Sequence, residues 1–250
     1  MSDWLDPVRA ALDAAPAPVP FFFRDDDAGW DDAALWRLLD RCRTHGVHVD
    51  LAVIPTEVGS ELAGALRDRA AVGTVHLHQH GFRHVNHEPV GRKCEFGPSR
   101  SHDRQLADIA EGRALLGEHL HPFLDPVFTP PWNRCTAETA AVLADLGFRV
   151  LSRDRTAVPF GVDGLVEVPV AVDWFATRQG ELLTRRQVGQ QIAAQIGDRL
   201  DSRDPVGIML HHAVTGAGDL QLIDGLFALV AGHPAATSTS IYSTSSCVLG

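Results

Sequence analysis

Short apolar runs recur along this chain, and stretches with apolar residues three and four apart lie between them. The runs predict strands at 21–23, 48–54, 75–77, 127–129, 150–152, 166–170 and 206–210. The helical spacing begins with Leu5, Val8 and Leu12, in a short helix over 3–14 that Pro16, Pro18 and Pro20 end. Asp31 or Asp32 caps a second helix, whose Leu35, Leu38, Leu39 and Cys42 share a face and which Gly46 closes. A third covers 60–70, and the longest covers 101–121, with Leu106, Ile109, Leu116 and Leu120 on one side. Thr136 caps the next, which stops at Gly147. Thr184 with Gln187 fits a capping box ahead of Val188, Ile192 and Ile196. Leu220, Ile223, Phe227 and Val230 stripe the last helix, and the Ser/Thr-rich tail from Thr237 is read as a short edge strand or loose chain.

Strands alternating with helices predict a parallel sheet with helices outside, and about seven strands suit a distorted (β/α) barrel better than an open sheet. With no internal repeat or linker, residues 1–250 read as one domain with its core over about 20–215. The polar clusters fall just after strands: the Asp25–Asp27 triplet, a histidine-rich loop, Pro130-Pro131-Trp132, Asp173-Trp174 and His211. In an α/β barrel the C-terminal strand ends share the face that carries chemistry, so these distant clusters are expected to converge.

Composition narrows the options. Hydrophobic content is 45% and charged content 22%, with a formal net charge of −10. That balance disfavours nucleic acid and anionic membrane surfaces as partners. The four cysteines, Cys42, Cys94, Cys135 and Cys247, are scattered, with no Cys-x-x-Cys pair and no disulfide framework. The first twenty residues carry Asp3, Asp6, Arg9 and Asp13, unlike a secretory leader, and no apolar run is long enough to span a bilayer. A cytoplasmic location is the expectation; the oligomeric state is not legible.

Five of the thirteen histidines lie between Val75 and His87. His80 and His84 stand four apart, which on a helical turn would project both from one side and let them share one divalent ion.

In this order, the motifs resemble the polysaccharide deacetylases of carbohydrate esterase family 4, over roughly 20–215. The family's paired aspartates before Gly correspond to Asp26-Asp27-Ala28-Gly29, with one extra residue. Its His-x-x-x-His corresponds to His80 and His84, its third motif to Thr129-Pro130-Pro131-Trp132, its Asp-Trp to Asp173-Trp174, and its Leu-His to Leu210-His211. The resemblance implies zinc, or another divalent ion such as cobalt, on Asp27, His80 and His84. It implies Asp26 as general base, the Trp132 backbone N–H as oxyanion donor and His211 as the acid that protonates the leaving amine, with Asp173 holding His211 or a basic neighbour. The substrate class implied is an acetylated sugar or glycoconjugate, and the reaction is hydrolysis of a C–N bond other than a peptide bond.

Several alternatives stay open. Asp25-Asp26 is the other register of the acidic pair, and His212 competes with His211. His76 and His78 are second donors behind the metal or ordinary barrel-facing residues; Asn86 and His87 read as loop polar groups. The third-motif Arg is Thr129 here, with Arg134 or Arg24 as candidate replacements, and its loss motivates a non-catalytic sugar-binding relative as the alternative function. A two-His, one-carboxylate iron oxygenase is disfavoured by the alternating strands and helices.

Overall fold

The computed structural model describes residues 3–198 and 204–246; Cys247 lies outside them. The strands are β1 (Val19–Ala28), β2 (Val49–Val53), β3 (Val75–His80), β4 (Leu124–Thr129), β5 (Val150–Leu151), β6 (Val166–Glu167), β7 (Val172–Asp173), β8 (Thr177–Arg178), β9 (Glu181–Leu182), β10 (Val206–Leu210) and β11 (Ala236–Ser238). The helices are α1 (Asp6–Asp13), α2 (Asp32–His45), α3 (Ser60–Ala70), α4 (His102–Leu120), α5 (Ala137–Asp145), α6 (Arg185–Gly197), α7 (Ala217–Gly232) and α8 (Ile241–Ser246). A parallel sheet runs in the order β6-β5-β4-β3-β2-β1-β10-β7, with β11 added beside the start of β1. It curls into a half-barrel, the distorted form of the predicted (β/α) barrel, and β8 and β9 form a separate small antiparallel pair.

The predicted helix caps have local causes. Asp31 accepts the N–H of Ala34, and Thr184 and Gln187 cap each other's backbone. The apolar stripes face the sheet: Leu35, Leu38, Leu39 and Cys42 from α2, Val188, Ile192 and Ile196 from α6, and Ile223, Phe227 and Val230 from α7 are all buried. Phe23 meets Phe227 edge to face at 4.8 Å between ring centres.

The inside of the half-barrel has its own small core of Phe22, Val127, Val150, Val168, Val170, Met209 and Ile241. Its floor is the C-terminal segment. Thr239 N–H bonds the Phe21 carbonyl at 2.9 Å, and the Ile241 N–H meets both oxygens of buried Asp50 at 3.0 and 3.1 Å. Burial pushes the Asp50 carboxyl up to about 8 despite the nearby His76. The tail is thus an ordered edge strand followed by a helical plug.

Two expectations are corrected. β1 does not stop at Phe23 but continues through Arg24 and all three aspartates, because each charge there meets a partner and so tolerates burial. β3 likewise continues to His80, so His80 and His84 are not one turn of a helix: the first ends a strand and the second sits in the following loop.

Candidate active site

Strand alternation should send Asp26 and Asp27 to opposite faces. A bulge prevents this. Asp25 pairs with Leu51 and Ala28 with Val53, so β1 fits one extra residue into that interval. Asp27 takes up the surplus at φ 72°, a left-handed conformation that Asp tolerates better than most residues. Both carboxylates consequently reach the same pocket at the end of the sheet.

His80 projects into that pocket from the end of β3. The loop after it turns back through Gly81 (φ 57°) and brings in His84, itself at φ 56°. A Cβ on Gly81 would strike the Glu95 carboxylate and the Pro131 ring, so that position requires glycine. Glu95 holds the turn: its buried carboxylate accepts the N–H groups of Phe82 (3.1 Å), Arg83 (2.8 Å) and Val85 (3.4 Å). Burial raises the Glu95 carboxyl, with those three donors opposing it. Sequence reading missed Glu95; an acid between Cys94 and Phe96, both buried, was the available signal.

Asp27 Oδ1 lies 3.2 Å from His80 Nε2 and 3.2 Å from His84 Nε2, and the three ligand atoms fall within 4.8 Å of one another. Burial alone would raise the Asp27 carboxyl, but the hydrogen bond to His80 and the charges of His80, His84 and His211 hold it at about 2. Burial and the neighbouring His80 push His84 down to about 4. His80 Nδ1 donates to the Thr129 carbonyl at 3.0 Å, which aims Nε2 at Asp27; burial opposes a charge on this ring, but the hydrogen bond to Asp27 and the charges of Asp26 and Asp27 raise it. With the imidazoles neutral, the carboxylate oxygen and the two Nε2 atoms are ligand atoms facing one another, and one proton cannot satisfy all three. A divalent cation can, so the donor set fits one.

Beside this cluster, Arg24 is fully buried and grips Asp26 with two parallel bonds, Nε to Oδ1 at 2.7 Å and Nη2 to Oδ2 at 2.8 Å. Its remaining N–H groups reach the Ser152 carbonyl and hydroxyl and Asn133 Oδ1. Of the two candidates for the missing third-motif Arg, Arg24 pairs with Asp26, whereas Arg134 donates to the Lys93 carbonyl at the rim. The signal was in the spacing, since residues two apart on a strand share a face. Thr129 instead accepts or donates a bond with the buried His78 Nε2 at 2.8 Å, and burial keeps His78 well below its ordinary range, hence neutral. His76 points lower, between His48 and Asp125.

Asp25 turns to the opposite face. Its Oδ2 lies 2.5 Å from His212 Nδ1, its Oδ1 accepts the His212 N–H, and His212 Nε2 donates to the Trp30 carbonyl at 2.6 Å. Both ring nitrogens face acceptors, so His212 is held as an imidazolium. Burial opposes that charge, yet Asp25 and the Trp30 carbonyl raise it to about 9. This settles two alternatives: Asp25 is not in the pocket, and His212 has no free nitrogen with which to act as acid.

His211 stands partly open at the pocket, its ring 6.5 Å from that of Phe175. Asp173 does not hold it by a hydrogen bond; Asp173 Oδ1 accepts the Phe175 N–H at 2.8 Å. Burial raises the Asp173 carboxyl, and His211 opposes that. Trp132, at φ 56°, lays its ring 4.5 Å from that of His84, and Trp30 approaches His84 from the other side at 4.8 Å. Asn86 accepts the Cys94 N–H and His87 donates to the Cys94 carbonyl, both within the loop.

No family model and no curated protein matches the chain. Solved structures do. A Mycobacterium smegmatis protein classed as a polysaccharide deacetylase is 18% identical, with 94% of each chain covered and a TM-score of 0.72. A family 4 acetyl xylan esterase from Clostridium thermocellum, in complex with a cobalt ion, is 17% identical over 84% of this chain and 82% of that one (TM-score 0.52). A family 4 pseudoenzyme from Bacillus anthracis is 12% identical over 92% of this chain and 66% of that one (TM-score 0.58). The chain has the fold of the family 4 carbohydrate esterases and polysaccharide deacetylases.

Proposed function

We propose that this protein is a metal-dependent carbohydrate deacetylase that hydrolyses the N-acetyl group of a sugar or glycoconjugate. One observation carries the reading: three converging metal-ligand atoms, on Asp27, His80 and His84, lie beside a carboxylate, Asp26, that a buried guanidinium keeps oriented. A zinc or cobalt ion there would supply Lewis acidity, lowering the pKa of water from about 16 toward about 7 and polarising a carbonyl.

The chain's own groups supply the rest. Asp26 accepts the proton of the attacking water, and Arg24 fixes which lone pair it presents. The Trp132 N–H stabilises the oxyanion, and its ring walls the acetyl pocket beside His84. His211 protonates the amine as the C–N bond breaks, so that it leaves neutral. Asp173 supports the imidazolium through its charge.

A non-catalytic role has precedent in the fold, since the Bacillus anthracis relative is a pseudoenzyme. Here, however, the absent third-motif Arg is compensated from β1, which favours the catalytic reading. Metal analysis and acetate release test it together. The purified protein should hold near-stoichiometric divalent metal and release acetate from N-acetylated sugars, while His80→Ala and His84→Ala lose both. Equal metal in all three proteins would refute the site; full metal with no acetate release would favour the non-catalytic reading.

A further inference from the structure

The loop after His84 runs against the charge of the chain. The protein is −10 overall, yet segment 83–95 exposes Arg83, Arg92 and Lys93. Its two carboxylates are engaged elsewhere. Glu88 accepts the Ser99 N–H and hydroxyl at 3.0 and 2.6 Å, and Glu95 is buried against the backbone of 82–85. Neither meets the loop's cations.

Arg83 turns to the Phe82 ring, and Lys93, next to Arg92 in the chain, stands at Trp132. The Lys93 ammonium lies over the Trp132 ring, 5.8 Å from its centre, and that ring in turn lies 4.5 Å from His84. Arg134 Nη1 is tied to the Lys93 carbonyl at 2.9 Å. Burial and the charge of Arg92 both press the Arg134 guanidinium downward, with Asp154 opposing more weakly. Among the described residues no carboxylate lies within ion-pairing distance of Arg92, Lys93 or Arg134, so an anion bound among them would meet uncompensated positive charge. Two guanidinium forks and a mobile ammonium suit phosphate or carboxylate oxygens.

We propose that Arg92, Lys93 and Arg134 bind an oxyanion carried by the substrate, a phosphate or carboxylate on the same glycoside as the acetyl group. Resting on the deacetylase reading above, this adds the substrate's charge to it. The placement explains why an acidic protein would accept an acidic sugar: the local patch offsets the repulsion of the whole.

Calorimetry on the full-length, zinc-loaded protein tests it, with N-acetylglucosamine, N-acetylglucosamine 1-phosphate and N-acetylmuramic acid as probes. At least one anionic sugar should bind about tenfold or more tightly than the neutral one. That ratio should shrink as ionic strength rises from about 0.01 M to about 0.15 M. It should approach one in the Arg92→Ala/Lys93→Ala double variant, whose positions are exposed and tolerate truncation. Preference for the phosphate or for the muramate identifies which oxyanion is read. Equal affinities in the parent protein, or a ratio that the double variant leaves unchanged, would overturn the proposal. Acetate release without any charge preference would leave the deacetylase reading standing; no binding and no acetate from all three would remove both.

Discussion

Two buried acid–base pairs sit at the same height on opposite faces of β1. On the inner face, Arg24 grips Asp26 at the mouth of the pocket. On the outer face, Asp25 grips His212 beneath the helices, with both side chains fully shielded. The residue types are nearly the same, but the surroundings differ. Asp25 has its oxygens occupied by the His212 ring and backbone, and nothing further can approach. Asp26 adjoins Asp27 and the two imidazoles, where a substrate has access. The outer pair joins the ends of β1 and β10; the inner pair lies beside the Asp27, His80 and His84 cluster. Adjacent identical residues on one strand thus acquire different jobs from the direction in which the backbone points them.

Substitutions that treat the two aspartates alike should separate them. Asp26→Asn is expected to keep its metal and lose turnover by about 10²–10⁴, the usual contribution of a general base; metal loss in that variant would instead make Asp26 a ligand. Asp25→Asn leaves a buried imidazolium without its counter-charge, and denaturant melts should record about 3–5 kcal/mol of lost stability. An unshifted melt would mean that the outer pair is not structural.

Smaller effects sharpen the contrast. Glu95→Gln replaces one acceptor oxygen with a donor facing peptide N–H groups, so metal affinity, read by competition with a chelator, should weaken about 10–100-fold. Arg24→Lys keeps the charge and loses the two-pronged grip. Its kcat should drop by a similar factor of about 10–100 while bound metal stays constant; parity with the parent protein would leave Arg24 a packing residue. The mildest expectation concerns pH. His212 is raised from 6.5 to about 9 on folding, so its stabilisation is complete below pH 6.5 and lost as pH climbs through about 9. Denaturant midpoints should fall over that window, and His212→Gln should flatten the decline.

Periodicity made the scaffold readable. Apolar runs and striped helices were enough to locate β2, α3, α6 and β10 nearly to the residue, because burial of one face dictates their composition. The site was legible as a set of residues and less so as a geometry. His80, His84 and Asp27 do converge, but through a strand end, a left-handed loop residue and a bulge; none of these leaves a periodic trace. The same holds for β1, whose charged half resembles a loop until Arg24 and His212 are known to satisfy it. β5 and β6 fall within the predicted apolar runs at 150–152 and 166–170, though each is only two residues long; β7 and the β8–β9 pair carry too few residues to show a period at all. Glu95 acts only through backbone N–H groups, which one-letter patterns do not display.

Among the described residues, Ile241 at the start of α8 packs against Phe22 inside the half-barrel, so the Asp27, His80 and His84 cluster opens at the other end of the sheet. On the proposed deacetylase reading, a sugar and the acid released from it would use that end in turn. Accumulated acetate would then compete with substrate for that entrance.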